Sequence, residues 1–238
     1  MQHIAIIPAR AGSRRIPGKN VKLLGGLPLI AWTINAAYAS GCFDQVMVST
    51  EDAEISDISI AYGAQVPFLR PPELATDNAS SIDVLLDHVA RSGLHGNSSL
   101  TLLQPTSPFR SPQTIQRAVA EFEARPQCSL IGVTTPPVPL SWHRTINADG
   151  RLHAVPLQLQ PAQRSCVLSG LIYITRIDSL LSSRDLYGCD PCAFLVEDRV
   201  ESLDIDTPFD WLVALACVDA GLATPSLSIN NPQKVKPT

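Results

Sequence analysis

The chain has 238 residues, 45% of them hydrophobic and 17% charged, and a net charge of −4. That content excludes disorder and supports one well-packed domain. The acidic balance excludes a broad basic face for nucleic acid, and no apolar run approaches the roughly 20 residues that span a bilayer.

The first segment, HIAIIPA, is an unbroken apolar run ending at Pro8–Ala9. It lacks a basic leader and a small-residue cleavage site, so it reads as a strand buried on both faces rather than a signal peptide. RAGSRRIPGKN follows. Arg10, Arg14, Arg15, Lys19 and Lys22 concentrate five of the chain's 18 Lys and Arg in this one turn. Pro28 is placed to open a helix carrying Ile30, Ile34, Ala37 and Tyr38 at helical spacing, with Gly41 as its stop. QVMVST reads as a second strand, DAEISDISIAYG as a short helix, and QVPFL as a short extended piece. Ile82, Leu85, Leu86 and Val89 mark one face of the next helix. SLTLLQ and CSLIGVTT are further strands. Between them Ser111 and Pro112 open a helix with Ile115, Ala118, Val119 and Phe122 inward.

From 136 to 165 the rhythm breaks. PPVPLSW, a turn at Asn147–Gly150 and RLHAVPLQLQ suggest a hairpin arm projecting from the domain. Thr207-Pro208-Phe209-Asp210 is a capping-box pattern ahead of the helix WLVALACVDAG. The polar stretch 226–238 reads as a flexible tail. The six cysteines are scattered and expected to be reduced. Cys189 and Cys192 form a lone CxxC, which is weak evidence for metal or redox chemistry. Strands separated by helices predict a three-layer α/β domain over 1–225 with a mostly parallel sheet.

In such a sheet, ligands bind beyond the carboxyl ends of the strands. The basic turn leaves the first strand at that edge. Ala11, Gly12 and Ser13 let the backbone come close to a ligand, and fixed cations beside exposed N–H groups suit an anion with several charges, such as a triphosphate. The P-loop spacing is absent, because five residues separate Gly12 from Gly18 and Asn20 follows Lys19. GxGxxG is absent too. In SLDIDTP, Asp204 and Asp206 stand two apart in an extended segment and so point the same way, as two oxygen ligands of a magnesium ion would. The competing reading has Asp206 capping the helix at Pro208, a role for which Thr207 is better placed.

IIPARAGSRRIPGKN, TINAAYASGCFDQVMVST, RPPELATDNASSID, TLLQPTSPFR, SGLIYI and SLDIDTPFD, in this order, resemble the blocks of the CMP-sialic acid synthetases (acylneuraminate cytidylyltransferases). Relatives acting on legionaminic, pseudaminic or Kdo-type acids share these blocks. The resemblance implies a nucleotidyltransferase (Rossmann-like) fold and a cytoplasmic homodimer with an inserted dimerisation arm. It also implies a Mg²⁺-dependent reaction of CTP with an acidic 2-keto sugar, supplying cell-surface polysaccharide synthesis. It implies that Arg10, Ser13, Arg14, Lys19 and Asn20 hold the nucleotide, with Arg15 able to replace Arg14. Arg70, Ala79 and Ser81 would lie on the cytosine side. Arg70 could instead bridge a nearby acid. Gln104, Thr106, Ser107, Arg164, Ser169 and Tyr173 would face the sugar, Asp204 and Asp206 the metal, and Arg10, Lys19 and Asp206 would be catalytic.

The sugar side departs from the sialic acid pattern. Ser169 stands where Asn is usual, and Ser141 where a basic residue is expected. This points to different N-acyl or deoxy substituents, as in a 5,7-diamino nonulosonate. Two other classes remain: a glycosyltransferase using Asp204-Ile205-Asp206 as its DxD motif, and a non-catalytic sensor of CTP or a sugar acid.

Overall fold

The structure is a computed structural model that describes residues 1–76, 78–155, 163–188 and 190–226. In chain order the N-terminal half holds β1 (Gln2–Pro8), β2 (Leu23–Leu24), β3 (Leu27–Pro28), α1 (Leu29–Ser40), β4 (Gln45–Ser49), α2 (Ala53–Ala61), α3 (Ser81–Arg91) and β5 (Ser98–Leu102). The rest holds α4 (Pro112–Ala124), β6 (Leu130–Thr134), β7 (Arg144–Ile146), β8 (Leu152–Ala154), β9 (Val167–Arg176), α5 (Ile177–Ser183), β10 (Cys192–Leu195) and α6 (Pro208–Asp219).

Six strands form one sheet in the order β10-β6-β9-β5-β1-β4. β1 pairs in parallel with β4 and β5, and β6 with β10. β9 runs antiparallel to both of its neighbours, β5 and β6. Neither β9 nor β10 stands out in the sequence as a strand. In β9, Gly170 with φ +67° interrupts the alternation, and the β6–β9 register shifts between Ile131 and Val133. Pro28 is not the first helical residue but the N-cap of α1, with extended ψ. Gly41 ends that helix in the left-handed conformation, as expected.

The apolar run of β1 explains the layers. Ala5 and Ile7 pack with Ile30 and Ile34 of α1 and Ile115 and Phe122 of α4. Ile4 and Ile6 face the other way, against Leu85 and Val89 of α3 and Leu180 of α5. Alternate residues of one strand therefore feed two cores, and the strand must be apolar throughout. A third cluster joins Ile16, Trp32, Phe109, Ile205 and Trp211. It pins the middle of the basic turn under α6, whose N-terminus carries the capping box between Thr207 and Asp210. Ser111 caps α4 and Asp52 caps α2 through their side chains.

The expected arm contains a real hairpin. β7 and β8 pair antiparallel, and the Asn147 side chain accepts from the N–H groups of Asp149 and Arg151 to form the turn. Residues 156–162 of the arm, Cys189 and the segment 227–238 lie outside the described residues. The described cysteines are free thiols.

Candidate active site

β1 ends at Pro8, and Ala9 N–H still bonds to the Ser49 carbonyl at 2.9 Å. The basic turn therefore starts where β1 and β4 part. Ile16 is buried in the third cluster, and Asn20 donates its side-chain N–H to the Arg10 carbonyl at 2.8 Å. These two anchors bend the turn over the carboxyl edge of the sheet. The loop after β5 closes the opposite wall. There the Ile205 N–H bonds to the Thr106 carbonyl at 2.7 Å, laying the acidic strand against QPT.

Between these walls lies a cavity of about 550 Å³. Arg10, Ser13, Arg14, Arg15, Lys19 and Asn20 line it from the basic turn, and Arg70, Ala79 and Ser81 from the segment before and at the start of α3. Gln104, Thr106 and Asp206 complete it. Both Arg14 and Arg15 are among the lining residues. Lys22, the fifth cation of the sequence cluster, instead stands over the Trp211 ring at 4.7 Å.

The ion pairs are specific. Asp206 receives Arg15 at 2.9 Å, and the Lys19 ammonium lies 3.6 Å from its other oxygen. Lys19 also donates to the Ile205 carbonyl at 2.7 Å. Burial pulls the Lys19 ammonium below its ordinary range, opposed by Asp206 and Asp204. Asp204 is open to water on one side but hemmed in by protein on the others. That partial desolvation lifts its carboxyl, Asp206 adds to the rise, and a hydrogen bond from the Thr106 side chain opposes it. Asp206 does not cap α6; Thr207 does.

The buried Ile205 separates two accessible carboxylates in extended backbone, as the alternation requires. Two neighbouring like charges at the edge of a cationic cavity fit a divalent ion that draws its remaining ligands from water and phosphate. Among the described residues there is no cluster of three or more His, Cys, Asp or Glu that would form an all-protein cage.

Five expected site residues do not line the cavity. Asp204 is one of them, although its carboxyl is hydrogen-bonded by the side chain of Thr106, which does line the cavity. Ser107 is fully buried and its hydroxyl has no hydrogen-bond partner. Ser169 and Tyr173 belong to β9, a strand in the middle of the sheet, so their side chains enter the sheet faces rather than a loop cleft. The Tyr173 ring meets Tyr187 edge-on. Arg164 is exposed, beyond the start of β9. Asn20 reaches the cavity, and one of its two amide N–H groups donates to the turn's own backbone at Arg10.

Two polar residues emerge only in the structure. Glu51, just past β4, accepts the Ala11 N–H and the Arg70 guanidinium, each at 2.8 Å. Its signal in the sequence was a carboxylate directly after a strand that ends at the ligand edge. Arg110 is buried and donates to the carbonyls of Leu171 (2.6 Å) and Gln104 (3.1 Å) and to the Thr33 hydroxyl (3.5 Å). Burial pulls its pKa down to about 9, against the pull of Glu201 and Asp204.

A family profile described as cytidylyltransferase matches residues 4–152. The CMP-N,N'-diacetyllegionaminic acid synthase of Legionella pneumophila is 40% identical over 219 residues, covering 89% of this chain and 94% of that protein. The N-acylneuraminate cytidylyltransferase of Escherichia coli is 36% identical over 218 residues, and the matched part spans 51% of that longer protein. Among solved structures, a CMP:2-keto-3-deoxy-manno-octonic acid synthetase complexed with CTP has a TM-score of 0.71 at 19% identity. It covers 93% of this chain and 100% of the other, a likeness of fold.

Proposed function

The chain belongs to the cytidylyltransferase family, and from that premise we propose that it transfers CMP from CTP to a nonulosonic acid, releasing pyrophosphate. The observation that carries this reading is one cavity in which the cations of the basic turn meet Asp206, Arg70 and the QPT loop. The favoured acid is a 5,7-diacetamido nonulosonate. The likeness to a diacetyllegionaminic acid synthase along nearly its whole length supports it, and so does Ser141, which stands where a basic residue is expected.

In this reading the triphosphate lies along the basic turn. Arg10, Arg14 and Lys19 offset its charge, and Ser13 and the small-residue backbone approach its oxygens. Arg70, Ala79 and Ser81 face the cytosine. Gln104 and Thr106 orient the sugar acid so that its anomeric hydroxyl addresses the α-phosphorus, the positioning on which phosphoryl transfer depends. Asp204 and Asp206 would hold magnesium, which supplies positive charge at the α-phosphate and a more acidic attacking hydroxyl when bound. Arg15 then exchanges Asp206 for phosphate.

The working form is a cytoplasmic homodimer of one domain, 1–225, whose product serves cell-surface polysaccharide synthesis. The arm, 136–165, is its dimer contact. Supporting this, Trp142, Ile146 and Leu152 are each about 70% exposed on the hairpin and the turn before it, an apolar surface that a second copy would cover. No helix among the described residues is long and apolar enough to cross a membrane.

Pyrophosphate release with CTP, Mg²⁺ and a panel of N-acetylneuraminate, Kdn, Kdo, legionaminate and pseudaminate derivatives tests the reading. Release with a diacetamido acid supports it. Release with N-acetylneuraminate alone removes the diamino preference. Sugar transfer from a nucleotide sugar without CTP consumption favours the DxD glycosyltransferase.

A further inference from the structure

We propose that Glu51 is a positioning residue that locks the base-side arginine and the phosphate turn into one unit. The selectivity of the site for cytosine would then depend on a carboxylate that is not among the residues lining the cavity. The inference rests on the CTP reading above and assigns the residue that sets its precision.

Three observations meet at Glu51. First, its two oxygens are divided between the two halves of the nucleotide site. One accepts the Ala11 N–H in the phosphate turn, and the other accepts the Arg70 guanidinium, both at 2.8 Å. Second, Arg70 is held twice from the same place, because its own N–H bonds to the Thr50 carbonyl at 2.7 Å. Main chain and side chain of Arg70 thus hang on consecutive residues at the end of β4. Third, the Arg70 side chain is only 4% exposed, yet its Nε–H has no hydrogen-bond partner and the residue lines the cavity. That Nε is closed off from solvent as well, so it does not hold the guanidinium in place, and the bond to Glu51 does.

The chemistry gives this arrangement a direction. A guanidinium offers donors only. Cytosine presents acceptors at O2 and N3, whereas uracil carries a hydrogen at N3. An arginine aimed by Glu51 accepts one base and opposes the other, while an arginine free to swing does neither well. A carboxylate beside a site for a polyanion is unfavourable on charge alone. Glu51 is tolerable there because both its oxygens are engaged, and its value is geometric. The turn needs such a tie: a side chain placed at Gly12, next to Ala11, would meet nothing within 4 Å, so packing does not hold this part of the turn.

Glu51→Gln tests the lock with almost no change of shape. An amide has one acceptor oxygen, so its NH₂ must face either the Ala11 N–H or the guanidinium, donor against donor. In the full chain without sugar acid, CTP and UTP binding are measured by calorimetry. Losing one charge-assisted bond predicts CTP affinity lower by about 10- to 100-fold and a CTP:UTP preference about tenfold narrower. The KM for the sugar acid is expected to stay near wild type, while the thermal midpoint falls because a buried guanidinium loses its carboxylate. Glu51→Asp keeps the charge and both acceptors but draws them back, and is expected to lose an intermediate amount; it also serves if Glu51→Gln does not fold. Wild-type affinity and preference in the folded variants overturn the inference and leave the cytidylyltransferase reading intact. A wild-type chain that binds neither nucleotide overturns both.

Discussion

The amide oxygen of Gln104 stands 2.6 Å from the point that a Cβ on residue 170 would occupy, and residue 170 is glycine. Gln104 therefore rests against the backbone of β9, in a space that exists because Gly170 has no side chain and adopts φ +67°. Gly170→Ala must displace Gln104, and the left-handed backbone adds about 1 kcal/mol of strain. Initial rates should show the KM for the sugar acid raised about tenfold, with CTP binding unchanged. An equal rise in both KM values would place Gln104 elsewhere in the reaction.

Arg110→Met removes a buried donor shared by α1, β9 and the Gln104 loop. Its two carbonyl partners and the Thr33 hydroxyl are left in an apolar setting. At roughly 1–3 kcal/mol for an unsatisfied buried group, urea unfolding should register a loss of about 3 kcal/mol. Arg110→Lys keeps a charge but cannot reach all three acceptors, and should fall between. A loss below about 1 kcal/mol for Arg110→Met would mean that water replaces the guanidinium.

Asp206→Asn separates charge balance from catalysis. The carboxylate that pairs with Arg15 and Lys19 becomes neutral, which removes a repulsion from the phosphate site. CTP binding without magnesium is expected to hold or tighten, while pyrophosphate release falls by at least about 100-fold. Weaker metal-free CTP binding would show that Asp206 chiefly props the cations in place.

His88 gives a stability signal in acid. It is buried against Phe68 and Met47, and burial lowers its pKa from 6.5 to about 4, with Arg91 and Arg70 adding to the shift. The unfolded chain protonates near pH 6.5 and the folded chain does not. This contribution is therefore complete above about pH 6.5 and declines as pH falls toward 4, by an amount on the order of 3 kcal/mol. Thermal midpoints of wild type and His88→Leu, recorded from pH 7.5 to 4.5, should converge as the pH drops. Parallel curves would contradict the assignment.

Local signals carried the legible part of the fold. β1 announced itself by an unbroken apolar run, α4 by Ser111-Pro112, and α6 by a capping box whose geometry is formed. The basic turn was legible because five cations in an acidic chain need a reason, and Asp204 and Asp206 because a strand's period is two. What stayed hidden depends on long-range pairing. SGLIYI reads as a pocket block until β5 and β6 close around it, and only then do Ser169 and Tyr173 turn into the sheet faces. Glu51 looked like one acid among many, since nothing near it in sequence reveals that Ala11 and Arg70 converge there.

The bond from the Lys19 ammonium to the Ile205 carbonyl spans 186 positions of the chain. Its two ends are made far apart in time. On the ribosome the phosphate turn emerges first of the two, and the segment that gives it a carboxylate follows only after the strands of the sheet. Contacts of such separation are slow to form and come late. A nascent chain can build β1, β4 and β5 while its cleft still lacks one wall. The cleft is thus closed only once the segment around residue 205 has been made, and a chain cut short before it would carry the basic turn without Asp206.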